Sequence, residues 1–161
     1  MAYKQNLPYR PCAGIMLFNK LGRVFVGQRL DTYLNAWQLP QGGINEGEEP
    51  QTAALRELEE EIGTANVAII GEVQKWLNYD LPPELLGQLW KGRFRGQTQK
   101  WFAMRFLGDD IEIDPTGVEN PEFSAWKWSS IEEIQEMAVP FKQAIYGIVV
   151  SEFSRFAKVT E

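Results

Sequence analysis

Seven glutamates fall within the sixteen residues from Glu46 to Glu61, and Arg56 is the only cation among them. Glu57, Glu60 and Glu61 stand at i, i+3 and i+4, so on a helix their side chains leave one face within about a 100° arc. Like charges at that spacing repel one another in water. The arrangement makes physical sense when a cation sits among the carboxylates. Hard divalent ions with oxygen ligands suit it best: Mg²⁺ first, with Mn²⁺ or another divalent cation able to serve. Just upstream, Gly42 and Gly43 let the backbone bend tightly enough for a carbonyl to face the same ion. Arg56 and Glu60 are also four apart, so the guanidinium can orient that carboxylate. The alternative use of a glutamate-rich helix is a solvated face. The glycine pair, Arg56 and the spacing favour a metal site, while Glu46, Glu49 and Glu59 are assigned to solvent or to occasional supporting roles around it.

The elements that must position these groups follow from periodicity and punctuation. Strands are expected at Cys12–Phe18 and Arg23–Arg29, across the turn signal Asn19-Lys20-Leu21-Gly22. A short extended piece from Trp37 runs into the glycine bend. A helix should open at Glu49 or Pro50, where proline presets φ, and stop at Gly63 in the left-handed conformation. Its apolar stripe is Ala54, Leu55, Leu58 and Ile62, lying beside the glutamate arc. Further strands are expected at Val67–Tyr79, Gln99–Leu107 and Glu122–Trp128. Ser130 with Glu133 reads as a capping box opening a short helix. A last helix is expected from Pro140 to Phe156, burying Phe141, Ala144, Ile145, Ile148, Val149 and Phe153. This order predicts an α+β fold, an α/β/α sandwich around a mixed central β-sheet.

Composition prunes the chemistry. With 161 residues, 44% hydrophobic and 24% charged, the chain reads as one soluble domain spanning residues 1–161. It has no histidine, which removes Ser-His-Asp and Cys-His machinery and every His-ligated metal. Cys12 is the single cysteine and reads as a buried thiol. There is neither a signal-peptide pattern nor an apolar run long enough to span a bilayer, so a cytoplasmic address and no membrane partner are expected. A net charge of −6 argues against a stable duplex nucleic-acid partner, although a bound cation can reverse the local sign for an anionic substrate.

The segment G-x5-E-x7-R-E-L-x-E-E-x-G, carried by Gly42, Glu48, Arg56, Glu57, Leu58, Glu60, Glu61 and Gly63, resembles the Nudix box. It departs from it only at Thr64, where that family usually has an aliphatic residue. The resemblance implies a carbonyl ligand from Gly43, metal ligation by Glu57, Glu60 and Glu61, and catalytic roles for those three with Arg56. It also implies that Glu48 fixes Arg56, and likeness to one subgroup of the family implies that Glu122 completes the metal site, with strand-edge solvation as its alternative use. The implied reaction is metal-assisted attack of water on a phosphoanhydride.

Tyr9-Arg10-Pro11, Trp37 to Gly43, Trp76 to Tyr79, Gly96 to Phe102 and Pro121 to Trp126 are similar to one subgroup. It contains bacterial RNA 5′-pyrophosphohydrolases and plant-type diadenosine tetraphosphate hydrolases. That resemblance implies a nucleoside polyphosphate or an RNA 5′ end as substrate. Arg10 and Arg29 suit phosphate oxygens, with surface ion pairs as their alternative use. The basic, aromatic-rich stretch from Trp90 to Lys100, including Gln97 and Lys100, reads either as a polyanion-facing loop or as a solubilising one. Tyr79, Phe141 and Lys142 match positions the subgroup places around substrate; Phe141 has the helix core as its alternative. Trp126 and Trp128 are read as packing. Two rival functions stay open, a non-catalytic nucleotide- or RNA-binding module on the same scaffold and a housecleaning nucleotidase.

Overall fold

The computed structural model describes residues 6–30 and 36–160. Among these residues eight strands form one mixed sheet: β1 (Tyr9–Phe18), β2 (Val24–Arg29), β3 (Trp37–Gln38), β4 (Gln41–Gly43), β5 (Val67–Glu72), β6 (Leu77–Asp80), β7 (Gly96–Phe106) and β8 (Phe123–Ser129). The main path runs β3-β2-β1-β7-β5, with β4 paired to β1, β6 to β7 and β8 to β2. β1 and β7 run parallel from Tyr9↔Gly96 to Phe18↔Arg105. This pairing explains why both strands begin three residues earlier than apolar patterning alone suggests.

Helices cover both faces, giving the expected sandwich. α1 (Pro50–Ile62) packs on one, over Ala13, Ile15, Leu17, Phe102 and Met104. α2 (Ile134–Met137) and α3 (Gln143–Phe153) cover the other, over Met16, Val26, Leu39, Trp101 and Ala103. α1 obeys its sequence signals: proline in its first turn and Gly63 at φ 90°, its N–H closing on the Glu59 carbonyl. Its buried face is Ala53, Ala54, Leu58 and Ile62, and it also includes Glu61. Leu55 is only half-buried.

Four expectations need correction. The single strand expected over Val67–Tyr79 is two, because pairing with β7 shifts register between Ile69 and Gly71 and then breaks after Glu72. The capping box at Ser130 does not form: its hydroxyl bonds Glu132, while Glu133 accepts from Ser129. A 3₁₀ turn (Ile131–Glu133) leads into α2 instead. The last helix is a 3₁₀ turn at Pro140–Lys142, then α3, then a second 3₁₀ turn at Ser154–Phe156. This re-phases its face, exposing Ala144 and Ile148 and burying Tyr146 with Ile145, Val149 and Phe153. Finally, the Trp90–Lys100 loop is shorter than expected, since β7 starts at Gly96.

Aromatic packing closes the β2–β8 side. Trp126 stacks on Phe25 at 5.5 Å, and Trp128 meets Phe25 edge-on at 6.2 Å. Both tryptophans thus pack against the α1-side core. Among the described residues no helix is long and apolar enough to cross a membrane.

Candidate active site

The glycine bend of β4 lies against α1, and Arg56 ties the two together. Its Nη2 donates to the Gly43 carbonyl at 2.9 Å, and its Nε and Nη2 fork onto Glu48 at 2.9 Å each. Nη1 reaches Glu57 at 2.8 Å and Glu60 at 3.4 Å. Glu48 in turn accepts from the Asn45 backbone N–H. The Arg56 fork, with that N–H second, holds the Glu48 carboxyl down at about 2. A planar guanidinium matches a carboxylate through two parallel bonds, so this contact fixes geometry as well as charge.

Both glycines leave room for the charged ends of functional side chains. A Cβ on Gly42 would run into the Glu57 carboxylate, and one on Gly43 would sit 2.5 Å from Nη2 of Arg10.

Glu61 is the most unusual group here. It is 3% exposed, and neither carboxylate oxygen has a well-formed hydrogen bond among the described residues, the Gln41 backbone N–H being the donor that approaches it. Burial, then the charges of Glu122 and Glu57, push its carboxyl well above the ordinary range, and the Gln41 backbone and Arg29 act against them. Glu57 is also raised, chiefly by burial, with Arg56 opposing and Glu60 and Glu122 adding to the shift. Buried carboxylates that raise one another are what a divalent cation would relieve. Among the described residues no three carboxylates converge tightly enough to cage an ion by themselves. The residues present nonetheless fit a cation: an unpartnered buried carboxylate faces two others beside a glycine carbonyl.

These groups open onto a cleft of about 530 Å³ lined by Glu57, Glu59, Glu60, Glu61, Glu119 and Glu122. Glu122 is exposed at its rim, immediately before β8. Glu59, assigned from sequence to solvent or an occasional supporting role, also lines the cleft, as does Glu119, for which the sequence carried no signal.

A second group assembles on the α3 side of the sheet, next to the bend. Register places Arg10, Gln97 and Tyr79 in one row across β1, β7 and β6. Arg10 lies 3.3 Å from the Cys12 sulfur and over the Trp90 ring at 5.5 Å. Cys12 is fully buried, and burial raises its thiol to about 11. The Tyr79 and Phe141 rings are 5.5 Å apart, and Lys142 Nζ donates to the buried Gln38 at 3.3 Å. Arg29 and Arg10 both bear electrostatically on Tyr79.

Lys100 departs from this group. Its ammonium is engaged by the Gln74 carbonyl at 2.8 Å and by Glu72 at 3.3 Å, so the structure does not bring it to the substrate side. Arg95, another cation of the basic stretch, forks onto Asp80 at 3.0 and 3.1 Å and stacks over Tyr9. Of that stretch, Lys91 and Arg93 remain exposed.

Fold and bend together define the class: the chain belongs to the NUDIX domain family, whose model matches residues 8–147. It is 49% identical to a protein of Azorhizobium caulinodans named RNA pyrophosphohydrolase, over 98% of this chain and 99% of that one. It is 55% identical to one of the same name from Rhodospirillum rubrum, over 94% and 91% of the respective chains. Among solved structures, a C. elegans Ap4A hydrolase complex superposes with a TM-score of 0.68 at 22% identity, covering 91% of this chain and 96% of that one.

Proposed function

We propose that this chain is a divalent-cation-dependent pyrophosphohydrolase acting on 5′-triphosphorylated RNA ends, with dinucleoside polyphosphates as further substrates and Mg²⁺ as the working ion. The observation that carries the catalytic part is the buried, unpartnered Glu61 carboxylate facing Glu57 and Glu122 beside the Gly43 carbonyl. The near-full-length likeness to proteins named RNA pyrophosphohydrolase supports the substrate.

When bound, the cation supplies Lewis acidity and offsets the charge that develops on the leaving phosphate. Gly43, Glu57, Glu61 and Glu122 would hold it, with Glu60 at the open side. Arg56 keeps the Gly43 carbonyl and Glu57 in place from behind. Glu60 is an exposed carboxylate of the cluster and can take a proton from a water in the cleft. Arg10, Arg29 and Lys142 supply positive charge to the polyphosphate, and Tyr79 with Phe141 offers an aromatic surface to a base.

The test is release of pyrophosphate or phosphate with Mg²⁺ from triphosphorylated RNA, diadenosine tetraphosphate and free nucleoside triphosphates, compared side by side. Fastest turnover on RNA ends, lost in Glu60→Gln or Glu61→Gln, supports the reading. Saturable RNA binding without release would favour a binding module instead.

A further inference from the structure

Three side chains on one face of β7 form a buried hydrogen-bond relay with a single allowed direction. Trp101 Nε1 donates to Gln99 Oε1 at 2.9 Å, and Gln99 Nε2 donates to Gln97 Oε1 at 2.6 Å. An indole N–H can only donate. It therefore dictates that Gln99 shows it the carbonyl end, which sends the Gln99 NH₂ toward Gln97. Gln97 must then receive with its own carbonyl, leaving its NH₂ at the far end. Gln99 and Trp101, the inner members, are 3% and 0% exposed, so water cannot compensate a reversed Gln99 amide, and Gln97 at the end of the relay is 2% exposed.

Trp101 itself is pinned. A Cβ on Gly14 would sit 2.6 Å from the indole, so glycine is what lets the ring lie flat on β1. Tyr146 closes the other side edge-on, at 5.8 Å and 82°. The far end of the relay lies in the same cross-strand row as Arg10 and Tyr79.

We propose that Gln99 and Trp101 are positioning residues that lock the Gln97 amide with its NH₂ at the free end of the relay, in the Arg10–Tyr79 row on the α3 side of the sheet, so that this position accepts only acceptor oxygens. The ligand chemistry is an anionic phosphate oxygen, because the neighbouring row position is the Arg10 guanidinium. This identification of the ligand rests on the polyphosphate substrate proposed above; the relay and its direction do not.

The experiment is a set of cycles on KM for triphosphorylated RNA: Gln97→Met, Gln99→Met and Trp101→Phe singly, then the latter two each combined with Gln97→Met. Losing one hydrogen bond to a charged oxygen corresponds to about a tenfold rise in KM. Gln97→Met should show that rise with kcat changed far less, and Gln99→Met and Trp101→Phe should approach it. In the Gln97→Met background neither should raise KM further, although each should still lower the melting temperature. A purely structural role would instead add its effect on KM in both backgrounds, and that result overturns the proposal. Unchanged KM in Gln99→Met or Trp101→Phe overturns it as well, so failure of one variant to fold leaves the other decisive. Should the wild type release nothing from RNA, the substrate reading fails by itself. The same cycle is then read as calorimetric affinity for inorganic triphosphate, where weakening confined to the Gln97 background supports the relay and equal weakening in both backgrounds sinks it.

Discussion

Arg56 Nη2 lies 2.9 Å from the Gly43 carbonyl oxygen, so the cation of α1 already touches the oxygen that a metal ion would share. A carbonyl has two lone pairs, and a guanidinium on one leaves the other for an ion. The arginine therefore aims the ligand without replacing the metal. Lysine cannot reproduce the three-way fork onto Gly43, Glu48 and Glu57. Arg56→Lys should lower Mg²⁺ affinity or turnover by about 10–100-fold, the usual loss when a group that orients a ligand is removed. Titrating activity against Mg²⁺ measures it, and a wild-type curve would show that the fork is dispensable.

Glu61 gives a prediction with a pH sign. Its carboxyl is raised above the unfolded value, so the folded chain holds that proton more tightly than the unfolded one. Its contribution to stability is fully present below the ordinary value of 4.5 and is lost as pH climbs through the folded value. Near neutrality the metal-free protein carries the cost of burying this carboxyl, whether as a charge or as a proton taken up on folding. Glu61→Gln should therefore raise the melting temperature of the metal-free protein at neutral pH, by about 2–4 °C per kcal/mol relieved. The gain should shrink on acidification, while turnover falls by orders of magnitude. Thermal melts in chelator at several pH values check this, and a variant less stable than wild type at neutral pH would contradict it.

Gly42→Ala tests the bend independently of charge. The new Cβ would collide with the Glu57 carboxylate and push it off the site. Turnover should fall at least as far as in Arg56→Lys, with the helix content seen by circular dichroism unchanged. Full activity would mean that Glu57 is free to move without consequence.

Much of this was legible in the sequence for identifiable reasons. The bounds of α1 were set by Pro50 and Gly63, which act through local backbone geometry. The Gly42 to Glu61 spacing carried the site because its contacts are short-range along the chain. The missed features depend on long-range register. Nothing local shows that Gln74 and Glu72 hold the Lys100 ammonium, or divides the strand expected over Val67–Tyr79 in two. The orphaned state of Glu61 was also hidden, because a helical wheel shows which residues share a face and not which of them the sheet covers. Alternation of Gln97, Gln99 and Trp101 along a strand was a visible signal of a shared face. Its direction needed the indole in place.

Arg10 offers a prediction on the substrate side. Its guanidinium sits by Gly43 and over Trp90, in the row with Gln97. Arg10→Gln should raise KM for triphosphorylated RNA by about tenfold or more, as expected when a charge-assisted bond to phosphate is lost, with a smaller change in kcat. A kcat loss at constant KM would place Arg10 at the reacting bond instead.

Calorimetric titration of Mg²⁺, with a non-hydrolysable triphosphate present, into wild type and into Glu57→Gln/Glu61→Gln reaches the core of the account. The wild type should take up the ion with a measurable heat, and the double variant should show none over the same range. Equal uptake by both proteins would mean that these carboxylates do not hold the metal, and the catalytic reading of the site would fall.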